Sequence, residues 1–359
     1  MNGISFIFAV LGAVDYILDC KIGLGREFER GIGCAGKLII CMTGFMALAP
    51  VLGEILTPAI LPIVEYINAD PSILAGILLS SDSGGVALAE KMCMNVEAGA
   101  FNGYIVGSMM GASVMCIIPM TILCSNDRTR KAGLYGLIIG LITIPVGCFV
   151  GGLLTGSSLR LILSNLIPVI VVSIGLFIAL IVFYKLILIP FQLFGRILLV
   201  ISIFGLLLVS AQEVLKITFI KGITPFSEII IVIGNIALVL AGIFPMLAVV
   251  MNVFRRQISY VANKLHIEKR DMDGIFVTAV NLFPTLDSLN DMTEKGVLLN
   301  VAFMVSGNCM LGDHFAFTSQ TKPEFVVPVI IGKAVASLLA LIIAISMSNK
   351  LLKTEKNNQ

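Results

Sequence analysis

Apolar runs of about twenty residues, cut by short charged stretches, set the pattern of this chain. Runs at 3–18, 36–57, 99–124, 133–155, 161–184, 190–212, 228–253, 296–316 and 325–348 predict helices suited to crossing a bilayer. Charged loops are expected at 19–30 and 254–271, a proline-rich connection at 58–71 and a further loop at 213–227. Two more apolar segments, 72–91 and 272–291, are interrupted by polar residues. Ser80-Ser81-Asp82-Ser83-Gly84-Gly85 splits the first; Asn281, Pro284, Asp287, Asn290 and Asp291 break the second. A carboxylate at mid-bilayer costs about 2.5–3.5 kcal/mol on insertion scales, so Asp82 is expected in a protein-lined or watery cavity. Non-helical backbone at that depth persists only in such surroundings. Interrupted helices in corresponding halves of a membrane protein point to a transporter's binding site.

The distribution of lysine and arginine sets the expected topology. If both broken segments are re-entrant hairpins and the N-terminus is outside, the loops hold seventeen basic residues inside and five outside. If both segments cross, the split is even. The hairpin arrangement predicts an all-α, polytopic integral membrane protein with about nine spanning helices and two hairpins. Residues 44–52 (GFMALAPVL) echo 239–247 (VLAGIFPML), and Asp82, Asn102 and Ser108 echo Asn281, Asn300 and Ser306. These echoes predict an inverted repeat: residues 1–155 with hairpin 72–91, a connecting helix at 156–189, a second repeat at 190–348 with hairpin 272–291, and a cytoplasmic tail at 349–359.

Composition supports this class. The 359 residues are 58% hydrophobic and 13% charged, with a mean hydropathy of +1.03; soluble domains carry about 25% charge. The formal charge of +2 and the lack of a dense basic patch predict no nucleic-acid partner. No basic region precedes residues 3–18 and no small-residue cleavage site follows them, so no cleavable signal peptide is expected. The eight cysteines form no C-x-x-C pair and read as core thiols. Hydrolase, zinc-protease and phosphate-loop motifs do not occur, so no enzyme, cofactor or metal is expected.

Asp82 is the strongest candidate for chemistry, because a carboxylate at a hairpin tip can hold a cation; its structural alternative is a partner for Lys37 or Lys333. Ser80, Ser81 and Ser83 can donate to a ligand or cap the broken helix ends. Gly84 and Gly85 permit a tight turn. Asn281 could bind a substrate's polar end, and Pro284 breaks the second segment. Asp287 and Asp291 lie nearer the expected cytoplasmic loop and read as solvated. Asn300, Ser306 and Asn308 stand in an otherwise apolar run that ends near Asp313-His314. His314 could respond to protons, although adjacent residues on an intact helix point apart. His266 reads as a loop residue. Phe283, Phe101 and Tyr104 are the aromatic residues near the breaks.

ALAPVL (47–52), LLSSDSGG (78–85), GSMMG (107–111), TIPVGCFVGGL (143–153), NVAFMVSGNCMLGDHFAF (300–317) and VIIGK (329–333) together resemble the ethanolamine permease family of bacterial ethanolamine-utilisation systems. The resemblance runs from about Asp15 to about Lys333. It implies a multi-pass carrier of the cytoplasmic membrane that takes up ethanolamine. It places Asp82 in the family's D-x-G-G block, Asn281 and Pro284 in its N-x-x-P block, and Asp313 and His314 in its G-D-H block. Leu282 stands where a second asparagine is expected, which argues against a ligand role there, and Ser81 replaces a usual cysteine.

Ethanolamine carries an ammonium, which suits Asp82, and a hydroxyl, which suits Asn281, Ser80 and Ser83. The expected function is ethanolamine uptake by alternating access at a midplane site, with the lipid bilayer as the surrounding partner. A sodium- or proton-coupled carrier of another small polar solute, or a channel-like facilitator, is the alternative. A homo-oligomer and the identity of any coupling ion stay open.

Overall fold

The computed structural model describes residues 2–183, 186, 188–265 and 267–352; His266 and residues 353–359 of the expected tail lie outside that set. Among the described residues the chain is helical, with no strand. Seven helices are long and apolar enough to cross a membrane: Leu24–Ile55, Val96–Cys124, Asp127–Leu154, Leu159–Val182, Leu188–Val214, Phe226–Val253 and Pro323–Leu352. A shorter apolar helix spans Asn2–Ile17. The chain is a polytopic all-α membrane protein.

Several boundaries depart from the sequence pattern. The charged stretch after residue 18 holds a helix, Leu24–Gly33, which lies against Phe226–Val253 so closely that a side-chain carbon at Gly31 would meet the backbone of Leu240 and Ala241. Helix Ala35–Tyr66 continues through Pro50, Pro58 and Pro62, so the expected connection at 58–71 is largely helical. The basic stretch after residue 253 holds a helix at Arg255–Leu265, whose arginines and lysine suit a headgroup surface. The helix expected at 296–316 is two pieces, Glu294–Gly307 and Asp313–Thr321, joined by a turn. The last helix, Val326–Leu352, runs into the residues expected to begin the tail.

Both predicted breaks are present. The first hairpin consists of Ile73–Leu78, a short turn at Ser81–Ser83 and Gly85–Met92. The second consists of Lys269–Val280, an extended residue at Asn281 and Phe283–Ser288. A carboxylate closes the base of each. Asp70 accepts hydrogen bonds from the Ser72 hydroxyl at 2.6 Å and from the backbone N–H groups of Ser72, Met94 and Asn95 at 2.9 Å each. Asp271 accepts from the Thr293 hydroxyl at 2.6 Å and its N–H at 3.2 Å. In the helices that follow, Asn102 donates to the Ser72 hydroxyl at 2.9 Å and Asn300 to the Asp271 carbonyl at 2.7 Å. Buried polar groups need such partners, and these bonds tie down the hairpin mouths, although the Asn102 and Asn300 side-chain oxygens are buried without one.

The first hairpin leans on Val96–Cys124, which is wound as π-helix over Phe101–Gly111 and Ser113–Ile117. Gly107 and Gly111 face the Leu79 carbonyl, and a side chain at Gly111 would collide with it. Their spacing thus serves close packing, the role small residues have between membrane helices.

Candidate functional site

The tip of the first hairpin is shaped by its own backbone. Leu79 and Ser80 are extended, so the helix stops. The Ser80 carbonyl then accepts from the N–H groups of Ser83 at 3.1 Å and Gly85 at 2.9 Å. Gly84 sits at φ +96°, in the left-handed region where glycine is the undemanding choice. A side chain at Gly85 would press on the Leu79 and Ser80 carbonyls. The two glycines therefore form the turn that aims Asp82 inward.

Asp82 is nearly closed off, its side chain 12% exposed. Its Oδ1 accepts from the Ser80 hydroxyl at 2.6 Å and the Ser83 hydroxyl at 3.2 Å. The Ser80 oxygen is also 3.0 Å from His314 Nε2, and that nitrogen is 3.7 Å from Asp82 Oδ1. On the far side of the ring, His314 Nδ1 lies 2.8 Å from Lys333 Nζ, which donates to the Ser108 carbonyl at 2.6 Å. Lys333 is 0% exposed. The order of contacts is Asp82, Ser80, His314, Lys333, Ser108. Lys333 is connected to Asp82 through the imidazole instead of pairing with it directly, and the Lys37 side chain lies outside the described set.

Asp82 faces a cavity of about 30 Å³. Ser80, Ser83, Asn308, Asp313 and His314 share its wall, with Leu282 and Phe283 from the second hairpin tip closing the apolar side. Asp313 Oδ1 is buried and has no hydrogen-bond partner. Adjacent Asp313 and His314 both reach the cavity because the helix is broken just before them. The break has a tertiary cause. The N–H groups of Cys309 and Leu311 donate to the Thr278 and Ala279 carbonyls at 3.0 and 2.9 Å, the carbonyls left open where the second hairpin's first helix ends.

Two expected residues stand elsewhere. Asn281 is fully buried, but its side-chain oxygen accepts from the Phe283 N–H at 2.9 Å and so shapes the second break. Pro284 lines a separate cavity of about 350 Å³ with Glu27, Arg30, Arg270 and Asp273. Asp287 and Asp291 are exposed. Of the three aromatic candidates only Phe283 lines the site: Tyr104 packs on Phe317 and Phe325, and Phe101 lies beneath Gly152. Leu282 reaches the cavity as an apolar wall. On the other side of the first tip, Ser83 and Gly84 also line a cavity of about 840 Å³ that holds Glu54, Lys91 and Glu228.

The family profile described as "Ethanolamine utilisation protein, EutH" matches residues 2–347. The chain belongs to the EutH family. A relative from Listeria monocytogenes serotype 1/2a (strain 10403S), named "Probable ethanolamine permease EutH", is 38% identical over 98% of this chain and 94% of its own length. One from Bacillus subtilis (strain 168), named "Uncharacterized protein YxeR", is 35% identical over 93% of this chain and 90% of its own. A "Probable ethanolamine permease EutH" from Salmonella typhimurium is 31% identical over 97% of this chain and 94% of its own. No solved structure matches. As a EutH-family protein with seven long apolar helices, the chain is a multi-pass protein of the bacterial cytoplasmic membrane.

Proposed function

We propose that this EutH-family protein takes up ethanolamine, holding its ammonium on Asp82 at the tip of the first hairpin. The observation that carries this reading is a nearly enclosed carboxylate facing a small cavity, with amide and acid groups also lining it. Both serine contacts fall on Oδ1, so the ammonium takes Oδ2. The hydroxyl then meets Asn308 and Asp313, instead of Asn281. A buried charge pair is favourable only when its remaining hydrogen bonds are made, and Ser80 and Ser83 supply them. The names of the relatives from Listeria and Salmonella agree with this substrate.

The size of the cavity supports a reading of alternating access. A space of about 30 Å³ has room for about two waters. Ethanolamine has four heavy atoms, so one side must open for it to load. The 840 Å³ cavity beside Ser83 and Gly84 provides the outer approach and the 350 Å³ cavity beside Pro284 the inner one. In this reading the two hairpins belong to inverted repeats and enter from opposite faces. Asp82→Asn tests the site. Labelled ethanolamine uptake should fall by about 100-fold or more while the protein still inserts, since removing one partner of a buried pair costs about 3–5 kcal/mol. Unchanged uptake rejects the assignment.

A further inference from the structure

We infer that His314 and Lys333 hold one proton between them, and that this proton is the site's own counter-charge. It sits on His314 while Asp82 is bare and moves to Lys333 when a substrate ammonium arrives. The inference rests on the reading of Asp82 as the ammonium's partner and adds two residues that act through it.

The geometry limits the pair to one positive charge. His314 Nδ1 and Lys333 Nζ face each other at 2.8 Å. An ammonium has three donors and no acceptor, and a protonated imidazole is a donor at both nitrogens. With both charged, two donors would point at each other in a fully enclosed space. With one proton shared, the contact is a good hydrogen bond in either arrangement. In the first, charged Lys333 donates to Nδ1 and to the Ser108 carbonyl, and neutral His314 donates from Nε2 to Ser80. In the second, charged His314 donates from Nδ1 to the neutral amine, which still donates to Ser108. No heavy atom has to move. The step breaks the Nδ1–H bond and forms an Nζ–H bond, and the pair's total charge is unchanged.

The surroundings set which arrangement prevails. The groups facing the pair are Asp82 at 3.7 Å from Nε2, Asp313 on the shared cavity wall, and the thiols of Cys148 and Cys309. The thiols bring no positive charge. The two carboxylates favour one proton on the pair. An amine is more basic than an imidazole by about four pKa units; a bare Asp82, 3.7 Å from Nε2, opposes that difference by drawing the proton toward His314, the nearer position. An ammonium on Asp82 repels a charged imidazole and favours it on Lys333. A carrier must return empty after each delivery, and this device spares that step an uncompensated carboxylate in the membrane.

The test separates the loaded movement from the empty one. Proteoliposomes are measured for net ethanolamine uptake, which needs the empty return, and for counterflow of labelled against unlabelled ethanolamine, which does not. In Lys333→Arg the guanidinium keeps its proton, so His314 stays neutral. The ratio of counterflow to net uptake should rise about threefold or more over the parent's. His314→Gln, which cannot carry the charge, should raise the ratio of counterflow to net uptake likewise. The inference is overturned if both modes fall together in Lys333→Arg, or if both persist. If that variant is not recovered as folded protein, an unchanged ratio in His314→Gln overturns it instead. Asp82→Asn retaining both modes would instead refute the Asp82 reading.

Discussion

The Ser80 hydroxyl stands 3.0 Å from His314 Nε2, so residues from the first hairpin and from helix Asp313–Thr321 share one hydrogen bond. Its proton goes to Asp82 at 2.6 Å, and Ser80 therefore orients both the carboxylate and the ring. Ser80→Ala leaves both with a lost partner in a buried place. A buried group left without its bond costs about 1–3 kcal/mol, so uptake should drop by roughly 5- to 100-fold. Initial rates of labelled ethanolamine uptake, normalised to inserted protein, check this; a rate equal to the parent's would remove Ser80 from the site.

Asp70 should behave differently from Asp82. It satisfies four donors at the hairpin mouth and touches no cavity that holds Asp82. Asp70→Asn should lower stability by about 1.5–3 kcal/mol, the range for hydrogen bonds to a charged group. Thermal unfolding in detergent should show it as a lower midpoint. Equal midpoints for Asp70→Asn and the parent would show that the mouth is held by other contacts.

Gly111→Ala probes the fit of the first hairpin against the π-wound helix. The added methyl would enter the space of the Leu79 carbonyl, which is backbone and has little room to retreat. Overpacking of this kind costs about 1–3 kcal/mol. Reduced yield of monodisperse protein and a lower unfolding midpoint are the expected outcome; a parent-like profile would mean that the hairpin and helix can slide apart.

The sidedness of the hairpins is open to labelling. Met94 is 81% exposed at the mouth of the first hairpin, and Tyr260 is 70% exposed on helix Arg255–Leu265. Cysteines introduced by Met94→Cys and Tyr260→Cys, in a background without reactive thiols, should react with an impermeant maleimide from opposite faces, the first from outside. Reaction of both from one face would overturn the opposed hairpins and, with them, the two-sided access.

The first break was legible because its signal is local: serines, an aspartate and paired glycines cannot sit quietly in an apolar helix. Asp82 followed from the same cost of a charge in lipid. The break at Asn308–Gly312 was not legible, because its cause is distant. Its N–H groups bond to Thr278 and Ala279, and nothing in Cys309-Met310-Leu311 forbids a helix. That unseen turn is also why Asp313 and His314 reach the cavity side by side. In the sequence Asn281 reads both as a binding group and as a break: its polarity marks the break, and its side-chain oxygen accepts from the adjacent Phe283 backbone. Asp70 and Asp271 fell inside stretches read as connections, 58–71 and 254–271, where a carboxylate carries no signal. In the sequence Lys333 reads as a candidate direct partner of Asp82, and its link through His314 needed the three-dimensional arrangement.

The turn that leads into the helix of His314 is sewn to the second hairpin by the Cys309 and Leu311 amides, while Asp82 rides on the first. Neither hairpin can swing away from the other without pulling Ser80 off the imidazole. In the proposed transport cycle, the cradle for a cation is thus assembled by closure and dismantled by opening, so letting go of the cargo would need no separate trigger.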